Sequence, residues 1–318
     1  MIETVVTAMR REAEGILGLE LRRLDGQCLP AFEAGAHVDV HLANGLVRQY
    51  SLCNDPQDTS SYQLGVGRSS QSRGGSLYIH DVLRVGDRVM IGKPRALFGI
   101  AQGASHHRFI AGGVGVTPIL SMIRWCVRHE MPWQLHYCVR SRAHAAYLDE
   151  LGSSNAQLRL HADDESKSPH DIRAMLFDMR PDEHLYCCGP GGLMDAVAAH
   201  ASEMGIESGR IHFERFEAPS AASSSAATDD RAFKVTLARQ GVECIVEPGE
   251  SILDSLERHG ICSPFSCRQG LCRSCEVPLI SGEVEHRDYV LTSEERSEGR
   301  SLMICVSRAI TPEIVIDL

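Results

Sequence analysis

Short runs of alternating apolar and polar residues fill the first part of the chain. Residues 36–42 and 48–52 are examples, and Gly, Asn, Asp and Pro separate such runs. An alternation with a period of two predicts strands with one buried face, and many short strands between turns predict a small antiparallel barrel. No long helical pattern interrupts this region, so we predict a β-barrel over residues 1–103.

The pattern changes in the middle of the chain, where apolar strands alternate with helical stretches. Residues 107–112 and 133–139 are apolar runs of strand length, and residues 118–127 between them have apolar positions at helical spacing. A strand, a helix and a second strand in this order form a βαβ unit, which implies a parallel sheet. We therefore predict an α/β domain over residues 104–217.

A run of small and polar residues without apolar periodicity follows at 218–231. Such a composition predicts a flexible linker. Beyond it, residues 233–238 and 243–246 have the pattern of two strands, and residues 251–259 that of a short amphipathic helix. We predict a third domain over residues 232–318.

Four cysteines in this third domain have the spacing of iron–sulfur ligands. Cys267, Cys272 and Cys275 form the pattern C-x4-C-x2-C, and Cys305 follows nearer the end of the chain. This is the spacing of a plant-type [2Fe–2S] cluster, which four thiolates hold and which operates at a low potential. Two strands, a helix and a cysteine loop are also the opening order of a β-grasp ferredoxin, so the domain is predicted to carry single electrons.

Zinc, disulfides and chance are the alternatives for these cysteines, since the chain contains twelve. A zinc ribbon needs a second C-x2-C pair, which the sequence lacks. Disulfides need an oxidising compartment, and nothing in the sequence indicates export. We therefore favour the cluster.

Composition and charge restrict the location and the partners. No apolar run approaches the ~20 residues of a membrane span, and the first residues lack the pattern of a signal peptide. The formal net charge of −10 argues against binding to nucleic acid. We expect a cytoplasmic protein that binds neither membranes nor nucleic acid.

Two glycine-rich turns follow apolar strands in the middle domain. Gly112, Gly113 and Gly115 open the helical stretch at 118–127, and Gly189 follows the strand that ends at Cys188. Glycine lets backbone approach a pyrophosphate, whose charge a helix N-terminus favours. Each turn alone is weak support for nucleotide binding, because a tight turn also needs glycine for packing.

The barrel contributes candidate flavin-binding residues. Arg48, Tyr50 and Ser51 place a cation, an aromatic ring and a hydroxyl on one strand, and residues 72–76 form a turn rich in serine and glycine. Arginine pairs with phosphate, an aromatic ring can cover a flavin, and such a turn suits a phosphate. Each stretch alone is more often a surface loop than a cofactor site.

Together, these motifs resemble those of the phthalate dioxygenase reductase family, which includes the reductase of vanillate demethylase. The resemblance extends over essentially the whole chain and rests on the order of RQYSLCN (48–54), SRGGS (72–76), GGVGVTP (112–118), CCGPGGLM (187–194) and the four cysteines. It implies a flavin-binding β-barrel, an NAD-binding parallel α/β domain and a C-terminal β-grasp [2Fe–2S] ferredoxin domain. The flavin is usually FMN in this family, with FAD as the alternative.

The resemblance also implies a function and site residues. The chain would be the reductase component of a two-component Rieske-type oxygenase or demethylase of aromatic catabolism, passing electrons from NADH through FMN and the cluster to the oxygenase. The implied flavin residues are Arg48, Tyr50, Ser51, Leu52, Gly65, Val66, Ser72, Arg73, Gly74, Gly75 and Ser76, with Phe213, Glu214 and Phe216 near the ring. The implied nucleotide residues are Gly112, Gly113, Gly115, Val116, Thr117, Cys188, Gly189 and Pro190, of which Cys188 is the candidate catalytic residue facing the nicotinamide.

The cosubstrate and the electron acceptor remain open from the sequence. Ser141 and Arg142 follow the second strand of the α/β domain, where they could bind the 2′-phosphate of NADPH, while Asp163 and Asp164 could contact a ribose. The acceptor could also be a cytochrome or a separate ferredoxin. A redox-sensing iron–sulfur flavoprotein is the alternative from another functional class.

Arg273 departs from the family pattern, since relatives commonly carry glycine at this position of the cluster loop. Glycine there would avoid a steric cost if the backbone needs a positive φ. Arg273 also adds a cation near the cluster, where charge tunes the potential. We predict that Arg273→Gly makes the cluster potential more negative in a redox titration, and an unchanged or higher potential would contradict this. The alternative is that Arg273 docks a partner.

Overall fold

The computed structural model describes residues 1–69, 72–152, 157–166, 170–218 and 231–318. The chain divides into two compact units, Met1–Glu214 and Arg215–Leu318. Apart from its two end residues, the predicted linker at 218–231 lies outside the described residues. The predicted domain boundaries within the first unit stay predictions.

Six antiparallel strands form the barrel of the first unit. They are β1 (Ile2–Ala13), β2 (Ile16–Arg23), β3 (His37–His41), β4 (Val47–Ser51), β5 (Tyr62–Gly67) and β6 (Arg88–Ile91). Neighbouring strands in the sheet follow the order β4-β3-β6-β1-β2-β5. A bridge between Leu52 and Leu64 joins the two outer strands, so the sheet closes on itself. The short helix α1 (Gly75–Asp81) lies between β5 and β6 in sequence. The predicted barrel is confirmed.

Five parallel strands form the second sheet of this unit. They are β7 (His106–Gly112), β8 (Trp133–Val139), β9 (Leu158–Ala162), β10 (Glu183–Cys188) and β11 (Ile211–Glu214), in the order β11-β10-β7-β8-β9. The helices in this part of the chain are α2 (Val116–Arg128), α3 (Leu148–Gly152), α4 (Ile172–Leu176) and α5 (Gly191–Glu203). The strand order reverses between β7 and β10, which is the position where open α/β sheets bind ligands.

The second unit contains a mixed five-stranded sheet. Its strands are β12 (Phe233–Leu237), β13 (Val242–Val246), β14 (Glu276–Ser281), β16 (Ser301–Met303) and β18 (Glu313–Ile316), in the order β13-β12-β18-β14-β16. Strands β15 (Val284–Glu285) and β17 (Arg308–Ala309) form a small separate pair. The parallel pairing of β12 with β18 in the middle of the sheet fits the predicted β-grasp fold.

The two helices of the second unit, α6 (Ile252–Arg258) and α7 (Ser293–Glu298), begin with matching caps. Ser251 Oγ accepts the N–H of Asp254 at 3.1 Å at the start of α6, and Thr292 Oγ1 accepts the N–H of Glu295 at 3.2 Å at the start of α7. Such caps satisfy amides that lack partners within the helix. In the part of the chain that the structure describes, no helix is both long and apolar enough to cross a membrane.

Candidate functional site

The turns after β7 and β10 contact each other where the strand order reverses. A Cβ atom on Gly115 would lie 2.2 Å from the carbonyl oxygen of Cys188, and one on Gly112 would lie 2.5 Å from Cδ of Pro190. A Cβ on Gly189 would lie 2.9 Å from Cα of Gly112. These glycines therefore let two backbone turns pack together at the carboxyl ends of the strands, where parallel sheets bind nucleotides.

Gly113 differs from its neighbours because packing does not require it. A Cβ atom there would meet nothing within 4 Å, but the residue has a φ of +53°. Its carbonyl oxygen accepts a hydrogen bond from the hydroxyl of Tyr137 on β8 at 3.1 Å, which holds the turn against the neighbouring strand. This glycine allows the bend that leads into α2 and leaves open space beside it.

Strand β5 of the barrel packs directly against the turn after β7. A Cβ atom on Gly65 would lie 2.4 Å from Cγ2 of Thr117, and one on Gly67 would lie 3.2 Å from Val114. Val116 and Thr117 are buried, and Thr117 Oγ1 donates to the carbonyl oxygen of Val114 at 2.9 Å. The barrel and the parallel sheet thus meet at the predicted nucleotide site, within one compact unit.

Strand β4 and the turn before α1 lie side by side. The Nη2 atom of Arg48 donates to the carbonyl oxygen of Arg73 at 2.7 Å, and a Cβ atom on Gly75 would lie 2.5 Å from Cγ of Arg48. The hydroxyl of Ser76 donates to Ser72 Oγ at 2.9 Å. These contacts bring together the two barrel segments that the sequence indicates for the flavin and its phosphate.

The other predicted flavin residues of the barrel have different surroundings. Leu52 and Val66 have no exposed surface, so their side chains belong to the barrel core. Burial raises the pKa of Tyr50 to about 12, and its ring therefore carries a neutral hydroxyl. Gly74 has a φ of +90°, a conformation that favours glycine.

A buried carboxyl group connects strand β4 with the end of the parallel sheet. Glu214 pairs in register with Cys188 across β11 and β10, and its carboxylate accepts a hydrogen bond from Ser51. Burial raises the pKa of Glu214 to about 8. Burial likewise raises the pKa of Cys188, which has no exposed surface, so this thiol is neutral at physiological pH.

The catalytic role of Cys188 stays a prediction. Phe213 is half-buried on β11 beside Glu214. Phe216 is 40% exposed and belongs to the second unit. Its predicted place near the flavin also stays a prediction.

The four predicted cluster cysteines converge in the second unit. Cys267 shares hydrogen bonds with Cys272 and Cys305, and Cys275 shares one with Cys305. The hydrogen bond with Cys272 is the main cause that lowers the pKa of Cys267. Cys267 is half-buried and the other three are buried, so the four sulfurs form one compact group.

Backbone amides surround this group of sulfurs. Cys267 Sγ accepts the N–H groups of Gln269 at 3.3 Å and Leu271 at 3.4 Å, and the sulfur of Cys305 accepts that of Gly270. Amide donors stabilise thiolates and tune iron–sulfur clusters. The donor set therefore fits a [2Fe–2S] cluster. Within the described ranges, no group of three or more His, Cys, Asp or Glu side chains is placed so that it could hold one metal ion.

Two family models match parts of the chain. Residues 235–309 match the 2Fe-2S iron-sulfur cluster binding domain. Residues 93–211 match the N-terminal domain of the family described as dimethylamine monooxygenase subunit DmmA-like.

Full-length similarities are more decisive. The vanillate O-demethylase oxidoreductase of a Pseudomonas species is 40% identical over 321 residues, which cover 100% of both chains. The solved structure of phthalate dioxygenase reductase, a modular structure for electron transfer from pyridine nucleotides to [2Fe-2S], is 36% identical with a TM-score of 0.73. The match covers 100% of this chain and 98% of that one. This chain belongs to the phthalate dioxygenase reductase family. The family assignment made from the motifs is confirmed, and the chain is an electron-transfer oxidoreductase.

A longer protein is similar to this chain as well. The structure of an intact type IV self-sufficient cytochrome P-450 monooxygenase is 33% identical with a TM-score of 0.89, and it covers 100% of this chain but 41% of that one. The reductase thus spans less than half of that protein.

Arg273 of this family member adopts the conformation that glycine would favour. Its φ is +55°. Its guanidinium donates to the carbonyl oxygen of Val290 at 2.8 Å and to Glu295, and it lies 3.5 Å from Glu276. The side chain is 25% exposed. These contacts hold the side chain within its own unit and oppose the backbone strain of the positive φ. They favour a structural role for Arg273 over a role in docking a partner.

Arg142 and Ser141 are engaged locally at the end of β8. Arg142 forms an ion pair with Glu165 at 2.6 Å, and Ser141 Oγ lies 2.8 Å from His144 Nδ1. Their predicted contact with a 2′-phosphate stays open, because an exposed ion pair is readily exchanged.

Sequence reasoning missed three residues around the two sites. Arg124 and Tyr147 contact Cys53, two residues after the end of β4, and Asp288 packs against the cluster loop. Their contacts join residues far apart in the chain, and no local pattern indicates them. Residues 286–288 form the charged run HRD in the sequence. The contacts of its side chains depend on segments that are distant in the chain, so the run alone does not indicate a role.

Proposed function

We propose that this protein is the reductase component of a two-component Rieske-type oxygenase, which takes electrons from NADH through FMN and a [2Fe–2S] cluster to the oxygenase. The single observation that carries this proposal is the combination within one chain of glycine-rich turns where the barrel meets the parallel sheet and a group of four converging cysteines. The similarity to phthalate dioxygenase reductase supports an oxygenase as partner.

In the first unit, the turn from Gly112 to Thr117 would hold the pyrophosphate of NADH. The turn opens α2, which has thirteen residues, and a helix N-terminus favours negative charge. Gly113 leaves room for the ligand. Residues 188–190 would line the nicotinamide, and the buried, neutral Cys188 would exclude water from it.

Strand β4 would hold the flavin. Arg48 would pair with the phosphate beside the turn at 72–76, while Tyr50 and Ser51 would contact the ring. A bound flavin supplies the conversion of a two-electron hydride into single electrons. We favour FMN over FAD because FMN is the usual flavin of the family. Ser51 would also hold the protonated carboxyl group of Glu214 next to the ring.

In the second unit, Cys267, Cys272, Cys275 and Cys305 would be the cluster ligands. The amides of Gln269, Gly270 and Leu271 would stabilise the charge on their sulfurs. The thiols lose their protons when iron binds. The cytoplasmic location remains a prediction from the sequence.

Reconstitution with a terminal oxygenase tests the proposal. We expect NADH to bleach the flavin and cluster absorbance of the purified protein, and the oxygenase with its substrate to reoxidise both. Cys272→Ser should abolish transfer to the oxygenase and retain NADH-dependent ferricyanide reduction, which needs only the flavin. Cys262→Ser, an exposed cysteine outside the ligand set, is the control. A Cys272→Ser protein that still supports the oxygenase would contradict the assignment.

A cytochrome is the second candidate acceptor. The similarity over this whole chain to part of a self-sufficient cytochrome P-450 monooxygenase favours it. The rates at which the protein reduces each acceptor, measured at equal acceptor concentrations, distinguish the two candidates. Faster reduction of a cytochrome P-450 than of any Rieske-type oxygenase would support the second candidate.

A further inference from the structure

Asp288 is a fully buried carboxylate between β15 and α7. Its side chain has no exposed surface. The Oδ1 atom accepts the N–H groups of Val290 at 3.0 Å and Leu291 at 2.8 Å, whereas Oδ2 has no hydrogen-bond partner in the described part of the chain. Aspartate is rarely buried to this degree unless it is paired, because desolvation of the charge is costly.

This carboxylate lies against the loop that carries the cluster cysteines. A Cβ atom on Gly270 would lie 2.8 Å from Cα and 3.1 Å from Cβ of Asp288. The next residue, Tyr289, donates its N–H to the carbonyl oxygen of Gly270 at 2.9 Å. Gly270 in turn donates its own N–H to the sulfur of Cys305. One residue therefore separates Asp288 from a cluster sulfur.

The groups around Asp288 offset its charge only in part. His286 Nδ1 lies 3.8 Å from Oδ2, but burial lowers the pKa of this imidazole, so it is mostly neutral near pH 7. Arg296 Nη2 lies 3.6 Å from Oδ1 and donates to the backbone oxygen of Asp288, yet its side chain is 38% exposed. Arg273 adds a longer-range attraction and is itself paired with two glutamates.

We infer that Asp288 holds down the reduction potential of the cluster by placing a buried negative charge beside its loop. Reduction adds an electron, and a negative charge in surroundings of low polarity disfavours that addition. The inference rests on the proposed function, because it requires the cluster. Asp288 touches no ligand in this role and acts through the charge that it sets next to Gly270.

Asp288→Asn in the full-length holoprotein tests this inference. Asparagine retains the oxygen that accepts the two N–H groups, so the substitution removes the charge and keeps the turn. We expect the ratio of reduced to oxidised cluster to rise about tenfold at the wild-type midpoint potential, a shift of about 59 mV for one electron. Potentiometric titration followed by electron paramagnetic resonance of the reduced cluster measures it.

Glu294→Gln is the matched control, because it removes one negative charge from an exposed position on α7. A shift for Asp288→Asn no larger than that of Glu294→Gln would overturn the inference. Iron and sulfide analysis accompanies each variant. A wild-type protein without a cluster would instead refute the proposed function.

Arg296→Gln gives an independent test should Asp288→Asn fail to assemble. This substitution removes a cation that faces Asp288, so the potential should become more negative. An unchanged or higher potential in Arg296→Gln would overturn the inference as well.

Discussion

Glu214 is a carboxyl group whose surroundings favour its neutral form. Burial raises its pKa to about 8, and the hydrogen bond from Ser51 opposes this shift without cancelling it. Its Oε2 atom is buried and has no hydrogen-bond partner among the described residues. Both Glu214 and the neighbouring thiol of Cys188 therefore favour their uncharged forms near pH 7.

Glu214→Gln should remove a pH dependence from the stability of the first unit. Because the folded pKa of about 8 lies above the ordinary value of 4.5, the stabilisation is complete below pH 4.5 and is lost as the pH rises through 8. The slope is at most about 1.4 kcal/mol per pH unit. Urea unfolding followed by the fluorescence of Trp125 and Trp133 measures it. Glu207→Gln, at an exposed position, should keep the wild-type slope, and an unchanged slope in Glu214→Gln would contradict the prediction.

Helix α2 connects the two cofactor regions of the first unit. Two turns beyond Thr117, Arg124 Nη1 donates to the carbonyl oxygen of Cys53 at 2.7 Å and to Gln63 at 3.2 Å. Its other nitrogens form an ion pair with Glu150. The helix that begins at the proposed pyrophosphate site is therefore bonded to the chain two residues after Ser51.

Arg124→Met should slow hydride transfer more than it weakens NADH binding. Small displacements of reacting groups are costly, so we expect about a tenfold slower flavin reduction, with flavin content and the dissociation constant of NADH little changed. Anaerobic stopped-flow measurements separate these quantities. Arg128→Met, one turn further along α2, removes an ion pair with Asp55 and serves as the control. Equal effects of the two substitutions would argue against a specific role for Arg124.

The elements were predictable from the sequence to the extent that each has a local signature. The period-two runs, the helix at 118–127 and the helix capped by Ser251 all appear close to their predicted bounds. The positive φ that glycine commonly provides in the family also appears, at Arg273. The contact between Ser51 and Glu214 and that between Gly270 and Asp288 could not be predicted, since they depend on how distant segments pack.

The whole molecule consists of two compact units with separate spectroscopic reporters. Both tryptophans, Trp125 and Trp133, lie in the first unit, and the four proposed cluster ligands lie in the second. Each unit has its own buried apolar core. The stability of one unit can therefore be followed without a signal from the other.

Removal of iron should destabilise the second unit alone. Metal binding contributes to folding when the ligands converge only in the folded state, and the sulfurs here connect the loop at 267–275 with Cys305. We expect chelation under reducing conditions to make residues 232–318 sensitive to protease, while the unfolding temperature from tryptophan fluorescence stays the same. A fall in that temperature would show that the cluster also stabilises the first unit.

The central position of β18 has a consequence for biosynthesis. Glu313–Ile316 pairs with β12 on one side and β14 on the other, so the middle of the sheet comes from a strand that leaves the ribosome after the other four strands of that sheet. The first unit, complete at Glu214, can fold while translation continues. The sheet of the second unit cannot be completed until β18 emerges, and by then all four proposed cluster ligands have been synthesised.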